Sequence, residues 1–455
     1  LHKQSKQKWL GFLLVLLLVL GSTTPTFRQF TEFPHELRLF MGQWSKLHLT
    51  MPVSATACIS NPDIIEVNGS TGARVPVDLH RPLQLKPHAV GHALITLKLF
   101  GTVPIRSLAV HVYPNLKVIP GGQSIGVKLH SKGVMVVGHH LVQSKQSDAK
   151  SPAEKADIRV GDYLLKINGQ PVQRVVDVAR WVKLAGKDKK SLHITLLRDG
   201  KEKTVEIQPV YDEKERVYRL GMYIRDSAAG VGTLTFYDPE HKVYGALGHV
   251  ITDMDTGKPI RVGDGKVVKS NVTSIQKGES GEPGEKRAIF FQEDQVIGNI
   301  QKNTPFGIFG KMDRLPEKGL LNQEIPVALA EQVKEGPAKI LTVVDGQKVE
   351  QFDIEIVHVL RQKFPATKGL IIKVTDPRLL EKTGGIVQGM SGSPIIQNGK
   401  LAGAVTHVFV NDPTSGYGTF IEWMLQDAGV LHSQAGAMNS PLFLIENDYR
   451  HSQTC

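Results

Sequence analysis

The stretch GGIVQGMSGSPIIQNGKLAGAV, residues 384–405, decides how this chain is read. Two β-branched pairs, Ile386-Val387 and Ile395-Ile396, flank Gly389-Met390-Ser391-Gly392-Ser393-Pro394. Glycine and serine pack little and tolerate sharp backbone turns, so this hexapeptide is a turn between strands. The glycines expose the Ser391 hydroxyl and aim the N–H groups of Gly389 and Ser391 at a common point. That is the geometry of an oxyanion hole built from a nucleophile's own N–H and one two residues earlier.

A serine hydroxyl is a poor nucleophile at neutral pH. It needs a base within hydrogen-bond reach and a group that orients the base. Among 17 histidines, His249 stands out by context, in YGALGHVITD at a strand end among small residues. His407, on the strand after the serine, is second and His241 third. Asp376 in IIKVTDPRLL is the candidate orienting acid, with Asp294 and Asp253 as rivals. Lying just before Pro377, Asp376 is equally suited to cap a helix.

Working outward, the 455 residues are too many for one core. Sparse aromatics, with 44 glycines and 25 prolines, favour a mainly β, multidomain chain. The net charge is +11, but the basic residues are scattered. No arginine stripe interleaves with aromatics, which argues against nucleic acid and leaves anionic lipid headgroups as a partner for the excess charge. Cys58 and Cys455 form no CxxC and no ligand pattern, so neither a disulfide framework nor a metal site is expected, and no cofactor.

Lys3, Lys6 and Lys8 precede WLGFLLVLLLVLG, a basic segment followed by an apolar one. Residues 1–26 are expected to be an uncleaved signal anchor, lysines inside and the rest outside. Residues 27–115 hold short alternating apolar runs and are expected to form a small β-sandwich. SNPDIIEVNG followed by GHALITLKLFG resembles bacterial immunoglobulin-like domains.

Residues 116–210 read strand, helix, strand. SPAEKADIRVGDYLLKINGQPVQRVVDVARWV brackets a strand, Tyr163 to Ile167, between Gly161-Asp162 and the Asn168-Gly169 turn. Helical spacing follows, with Val172, Val175, Val176, Ala179 and Val182 on one side. Asp199-Gly200 then closes a hairpin. This stretch resembles a PDZ domain. The resemblance implies a carboxylate-binding loop at Ser124, Ile125, Gly126 and Val127, whose N–H groups would cradle a peptide end beside a strand edge.

Residues 211–430 are expected to hold many short strands and a closing helix in FIEWMLQDAG, with a polar tail at 431–455. QGMSGSP resembles the nucleophile loop of chymotrypsin-like serine peptidases, with Met390 where aspartate is usual and Ser393 where a second glycine is usual. The resemblance implies a double β-barrel, with LAGAVTHVFV as the strand that pairs with substrate.

The order of anchor, β region, PDZ, GALGHVITDMDTG and TDPRLLEKTGGIVQGMSGSPIIQNGKLAGAVTHVFVNDPT resembles the stage IV sporulation protein B peptidases of endospore-forming Firmicutes. That resemblance implies a membrane-tethered serine endopeptidase of sporulation signalling. It would be exported from the forespore into the intermembrane space and process itself near its N-terminus. It would cleave a regulatory membrane protein, freeing an intramembrane protease to activate a late mother-cell sigma factor. The triad implied is His249, Asp376 and Ser391, with the PDZ holding the membrane-bound partner and the chain's own N-terminal segment. A non-enzymatic docking module with a degenerate peptidase domain is the competing expectation.

Overall fold

The computed structural model describes residues 35–48, 53–144, 147–290, 295–313, 319–362 and 364–431. The expected anchor, the polar tail from residue 432, and Asp294 lie outside the described residues. Among those described, no helix is long and apolar enough to cross a membrane. Two compact units form, one ending at Leu116 and one running Lys117–Val430.

The first unit is all strand. A five-stranded sheet and a three-stranded sheet share one core. The alternation read from the sequence puts Ile65, Val67, Leu83 and Leu85 from one sheet and Ala57, Ile95, Leu97 and Val110 from the other into that core. The first strand, Glu36–Phe40, runs parallel to Val103–Tyr113.

The second unit contains the PDZ-like segment, a half-barrel and a closed barrel. Two long strands tie the first two together. Ser124–His139 pairs along one edge with Met222–Asp238 and on its other edge with Val262–Gln276 near its start and Tyr163–Ile167 near its end. Each long strand begins in one module and ends in the other, so Ser124–His139, expected wholly within 116–210, is shared between the two. Residues 140–221 sit between them, with a core of Ile158, Leu164, Val178, Val182, Ile194 and Leu196 that also takes in Val134 from the shared strand.

Within that module the strand Tyr163–Ile167 and its two turns lie where the sequence put them. Asn168 and Asp199 adopt φ of 51° and 47°, each followed by a left-handed glycine, as tight hairpin turns require. The helix runs Val175–Asp188 and turns Val178, Val182 and Ala185 inward. Val176 and Ala179, expected on the apolar side, are exposed. The helix starts at Val175, so the inward stripe follows Val175, Val178 and Val182.

The half-barrel core gathers Ile125, Val127, Leu129, Leu234, Tyr244, Val267 and Ile308. The closed barrel takes its six strands in the order Gly336–Val343, Val349–Val359, Leu370–Val374, Asp412–Phe420, Lys400–Phe409 and Pro394–Gln397. The closing helix is Ile421–Ala428, with Trp423, Met424 and Leu425 buried. The nucleophile turn precedes Pro394, at the seam between the half-barrel and the closed barrel.

Candidate active site

The seam is knit by backbone. Thr233, on the strand Met222–Asp238, donates its N–H to the Ser391 carbonyl at 3.0 Å and its hydroxyl to the Gly389 carbonyl at 2.8 Å. It also accepts the Leu247 N–H at 3.2 Å. A side chain at Gly392 would strike the Thr233 oxygen at 2.1 Å, and its φ is +93°, so glycine is required there. Leu247 and Gly248 both stand at φ +71°, and for a leucine that conformation is strained. Two successive left-handed residues swing the next one, His249, over the strand that carries Thr406 and His407.

His249, Gly389, Ser391, Thr406 and His407 line one cleft of about 960 Å³. The His249 and His407 rings lie 5.1 Å apart. His249 Nδ1 lies 2.9 Å from the Val250 carbonyl. A carbonyl only accepts, so Nδ1 carries the proton and Nε2 keeps its lone pair. Burial holds the His249 pKa below the ordinary imidazole value, and the Val250 bond opposes this in part. His407 is pushed down to about 4, by burial first and then by His249 and Lys368.

The turn separates its amides in a regular way. Met390 N–H bonds the Val387 carbonyl, Gly392 N–H that of Val405, and Ser393 N–H that of Met390. The N–H groups of Gly389 and Ser391 meet no acceptor among the described residues, and both residues line the cleft. Ser391 Oγ donates to the Thr406 carbonyl at 2.8 Å. Residues 406–408 pair with Asp412–Phe420 on one edge, and their other edge faces the cleft.

Asp376 lies elsewhere. It caps the helix Pro377–Thr383, accepting from Arg378 N–H at 2.9 Å, from the Arg378 guanidinium and from Asp353 N–H at 3.2 Å. Arg378 is the chief reason its pKa is low. No carboxylate bonds His249 among the described residues, so the structure does not bring Asp376 to the imidazole. The Pro377 that fixes the first helical turn is what commits the carboxylate to the cap. Of the rivals, Asp253 is buried in a turn and paired with Arg225. His241 bonds Asp238 at 2.6 Å and is not part of the cleft.

The expected peptide loop is corrected. Ser124, Ile125, Gly126 and Val127 are buried in a strand of the half-barrel, not in a loop. Ile125 pairs with Gly232 on one side and Lys269 on the other, so this backbone has no edge left for a ligand. The free edge of the inserted module belongs to Met222–Arg225. Among the described residues these pair only with 135–139, beside the helix Val175–Asp188, whose first N–H bonds the Asp226 carboxylate at 2.9 Å. Leu220 and Gly221 lead into that edge, with Gly221 at φ +75°. Their carbonyls are taken by Ala153 N–H and by His140 N–H and Ser151 Oγ, while their own N–H groups meet no acceptor among the described residues. The signal in the sequence was Arg219-Leu220-Gly221-Met222, a glycine between apolar residues at a strand start.

Residues 216–425 match the sequence model of the SpoIVB peptidase S55 family. The C-terminal region is an S55 serine peptidase domain. Residues 143–198 match a PDZ domain model, so the module inserted ahead of the S55 core is a PDZ domain.

Two curated proteins are similar over shorter stretches. A probable periplasmic serine endoprotease, DegP-like, of Rhizobium meliloti (strain 1021) is 35% identical over 108 residues, 24% of this chain and 19% of that protein. A putative zinc metalloprotease, mll0638, of Mesorhizobium japonicum is 34% identical over 113 residues, 23% of this chain and 30% of that protein. The chain thus spans less than a third of either relative. Among solved structures, the Rv3671c protease of M. tuberculosis in its active form is 17% identical with a TM-score of 0.25, covering 46% of this chain and 78% of that one. Its inactive form gives 16% and 0.27, covering 44% and 84%. At such TM-scores the likeness is weak.

Proposed function

We propose that this serine peptidase is an endopeptidase in which Ser391 is the nucleophile, His249 the general base, and the Gly389 and Ser391 N–H groups the oxyanion hole. The observation that carries the reading is the pattern of amides in the turn. Three N–H groups are spent internally, and the two that an oxyanion would need are left toward the cleft that holds His249.

The Ser391 hydroxyl turns from the Thr406 carbonyl to His249 Nε2 and attacks the peptide carbonyl as its proton passes to the imidazole. The oxyanion is held by Gly389 and Ser391 N–H. The imidazolium keeps Nδ1–H on the Val250 carbonyl and returns the other proton to the leaving amine. Water, deprotonated by the same nitrogen, releases the acyl group. Substrate backbone adds to the free edge of residues 406–408. The half-barrel and closed barrel, facing each other across the catalytic seam, support a chymotrypsin-like arrangement.

The PDZ domain takes an extended peptide on the Met222–Arg225 edge, with its end at Leu220–Gly221. Its partners are a membrane-bound regulatory protein and the chain's own N-terminal segment. The family match supports a sporulation-signalling role: export across the forespore membrane, tethering there, self-processing, and cleavage that releases an intramembrane protease. The first unit is a spacer of immunoglobulin-like type.

A fluorophosphonate probe on purified protein, with the adduct mapped by mass spectrometry, tests the catalytic reading. Labelling at Ser391 that is lost in His249→Ala is expected. Folded protein that takes no label and cuts no peptide would establish the docking module instead.

A further inference from the structure

Lys286 is a buried lysine in the interior of the S55 domain. It lies on the strand Glu285–Phe290 and is 1% exposed. Its backbone N–H bonds the Gln388 carbonyl at 2.9 Å, and Gln388 N–H bonds the Gly284 carbonyl at 2.8 Å. The strand start is thereby zipped to the nucleophile turn. Its stem runs under Gly389: a methyl group placed on that glycine would lie 3.1 Å from Lys286 Cβ and 3.3 Å from Cδ. Its amine reaches Thr342 Oγ1 at 2.7 Å, on the closed-barrel strand Gly336–Val343.

Among the described residues no countercharge accompanies it. Ile275 faces it in register from the neighbouring strand, Thr342 from the closed barrel, and Gly389 and the Gln388 carbonyl from the turn. None of these is a carboxylate, an imidazole or a second amine. On its own strand the flanking Glu285 and Arg287 are exposed, on the opposite face. Burial alone pushes its pKa down, to about 7. An ammonium in such a place is costly unless a negative charge forms nearby. The reaction proposed above creates one, at the N–H of the glycine that rests on the lysine stem.

We propose that Lys286 is a positioning residue for the oxyanion: its stem fixes Gly389 from beneath and its amine places positive charge behind the hole. The attraction is weak while the peptide carbonyl is neutral and strong once the oxyanion forms. It therefore acts on the transition state rather than on substrate binding. This inference rests on the catalytic reading of Gly389 and Ser391.

Lys286→Met keeps the stem and removes the charge. The expected result is a fall in kcat/KM of about 10-fold, with an equal loss of affinity for a peptide aldehyde that forms a tetrahedral adduct. Binding of uncleaved peptide, measured in a Ser391→Ala background, should stay unchanged. The melting temperature at pH 7 should hold or rise, because a buried unpaired amine is gone. A merely structural lysine would lower activity and stability together. Equal aldehyde affinity in the parent and the Met variant overturns the inference while leaving the catalytic reading standing. A parent that takes no aldehyde overturns both. Should Lys286→Met fail to fold, Thr342→Val removes the anchor of the amine and is expected to weaken aldehyde binding about 3-fold. Unchanged binding in that variant overturns the inference equally.

Discussion

Ser391 and Thr406 are joined by a 2.8 Å hydrogen bond in which the serine hydroxyl donates to a backbone carbonyl. The nucleophile is parked on the strand that would receive substrate, a rotation away from its base. Ser391→Ala should reduce peptide hydrolysis by at least about 10³-fold with little change in melting temperature. Ser393, two residues on, is buried, and its hydroxyl meets no partner among the described residues. Ser393→Ala should therefore leave turnover close to the parent's and stabilise the fold by up to about 1 kcal/mol. Loss of activity in the second variant and not the first would exchange their roles.

The pH profile reports on His249. The base works only when neutral, and burial disfavours its charged form. The acid limb of kcat/KM should have its midpoint below the ordinary imidazole value of about 6.5. Protonation of His407 near pH 4 would then set a second cation beside the base and deepen the fall. An acid limb centred above pH 7 contradicts this environment.

Asp376 offers a choice between two measurable roles. As a cap, its removal in Asp376→Ala should cost about 1–2 kcal/mol of stability at pH 7, read by denaturant melts. Its carboxyl sits low in the fold, so this contribution is present above the unfolded value and is lost as pH drops through the folded one. A variant that melts like the parent but does not cleave would return Asp376 to the place in the triad that the family resemblance gave it.

Arg225 joins the PDZ edge strand to the loop after His249. It pairs with buried Asp253 and, at 2.6 Å, with Asp255. Arg225→Met leaves the Asp253 carboxylate buried without its cation, held by the Asp255 and Thr256 amides and the Thr256 side chain. A loss of about 1–3 kcal/mol is expected, together with faster amide hydrogen exchange across residues 249–257. Exchange identical to the parent's would mean that this pair holds nothing in place.

Much of this was legible because it is local. The Gly-Met-Ser-Gly-Ser-Pro turn, the Asn168-Gly169 and Asp199-Gly200 hairpins and the strand between Asp162 and Asn168 each depend on residues adjacent in sequence. The peptide loop was misplaced because Ser124–Val127 alternates in a way that suits any half-buried strand, and periodicity does not say which neighbours lie on each edge. Both edges prove to be occupied, by strands about a hundred residues or more away. Lys286 was invisible for a related reason. In GEKRAIFF it reads as a solvated charge, and only the folding of a distant glycine onto its stem buries it.

The two shared strands carry a consequence for engineering. His139 and Met222 are direct cross-strand partners, so the whole PDZ insert leaves and returns at one rung of a ladder. Cutting at residues 116 and 209 would tear a stave from the half-barrel. Replacing residues 140–221 with a two-residue reverse turn would instead close the two staves into a plain hairpin and leave the catalytic seam whole.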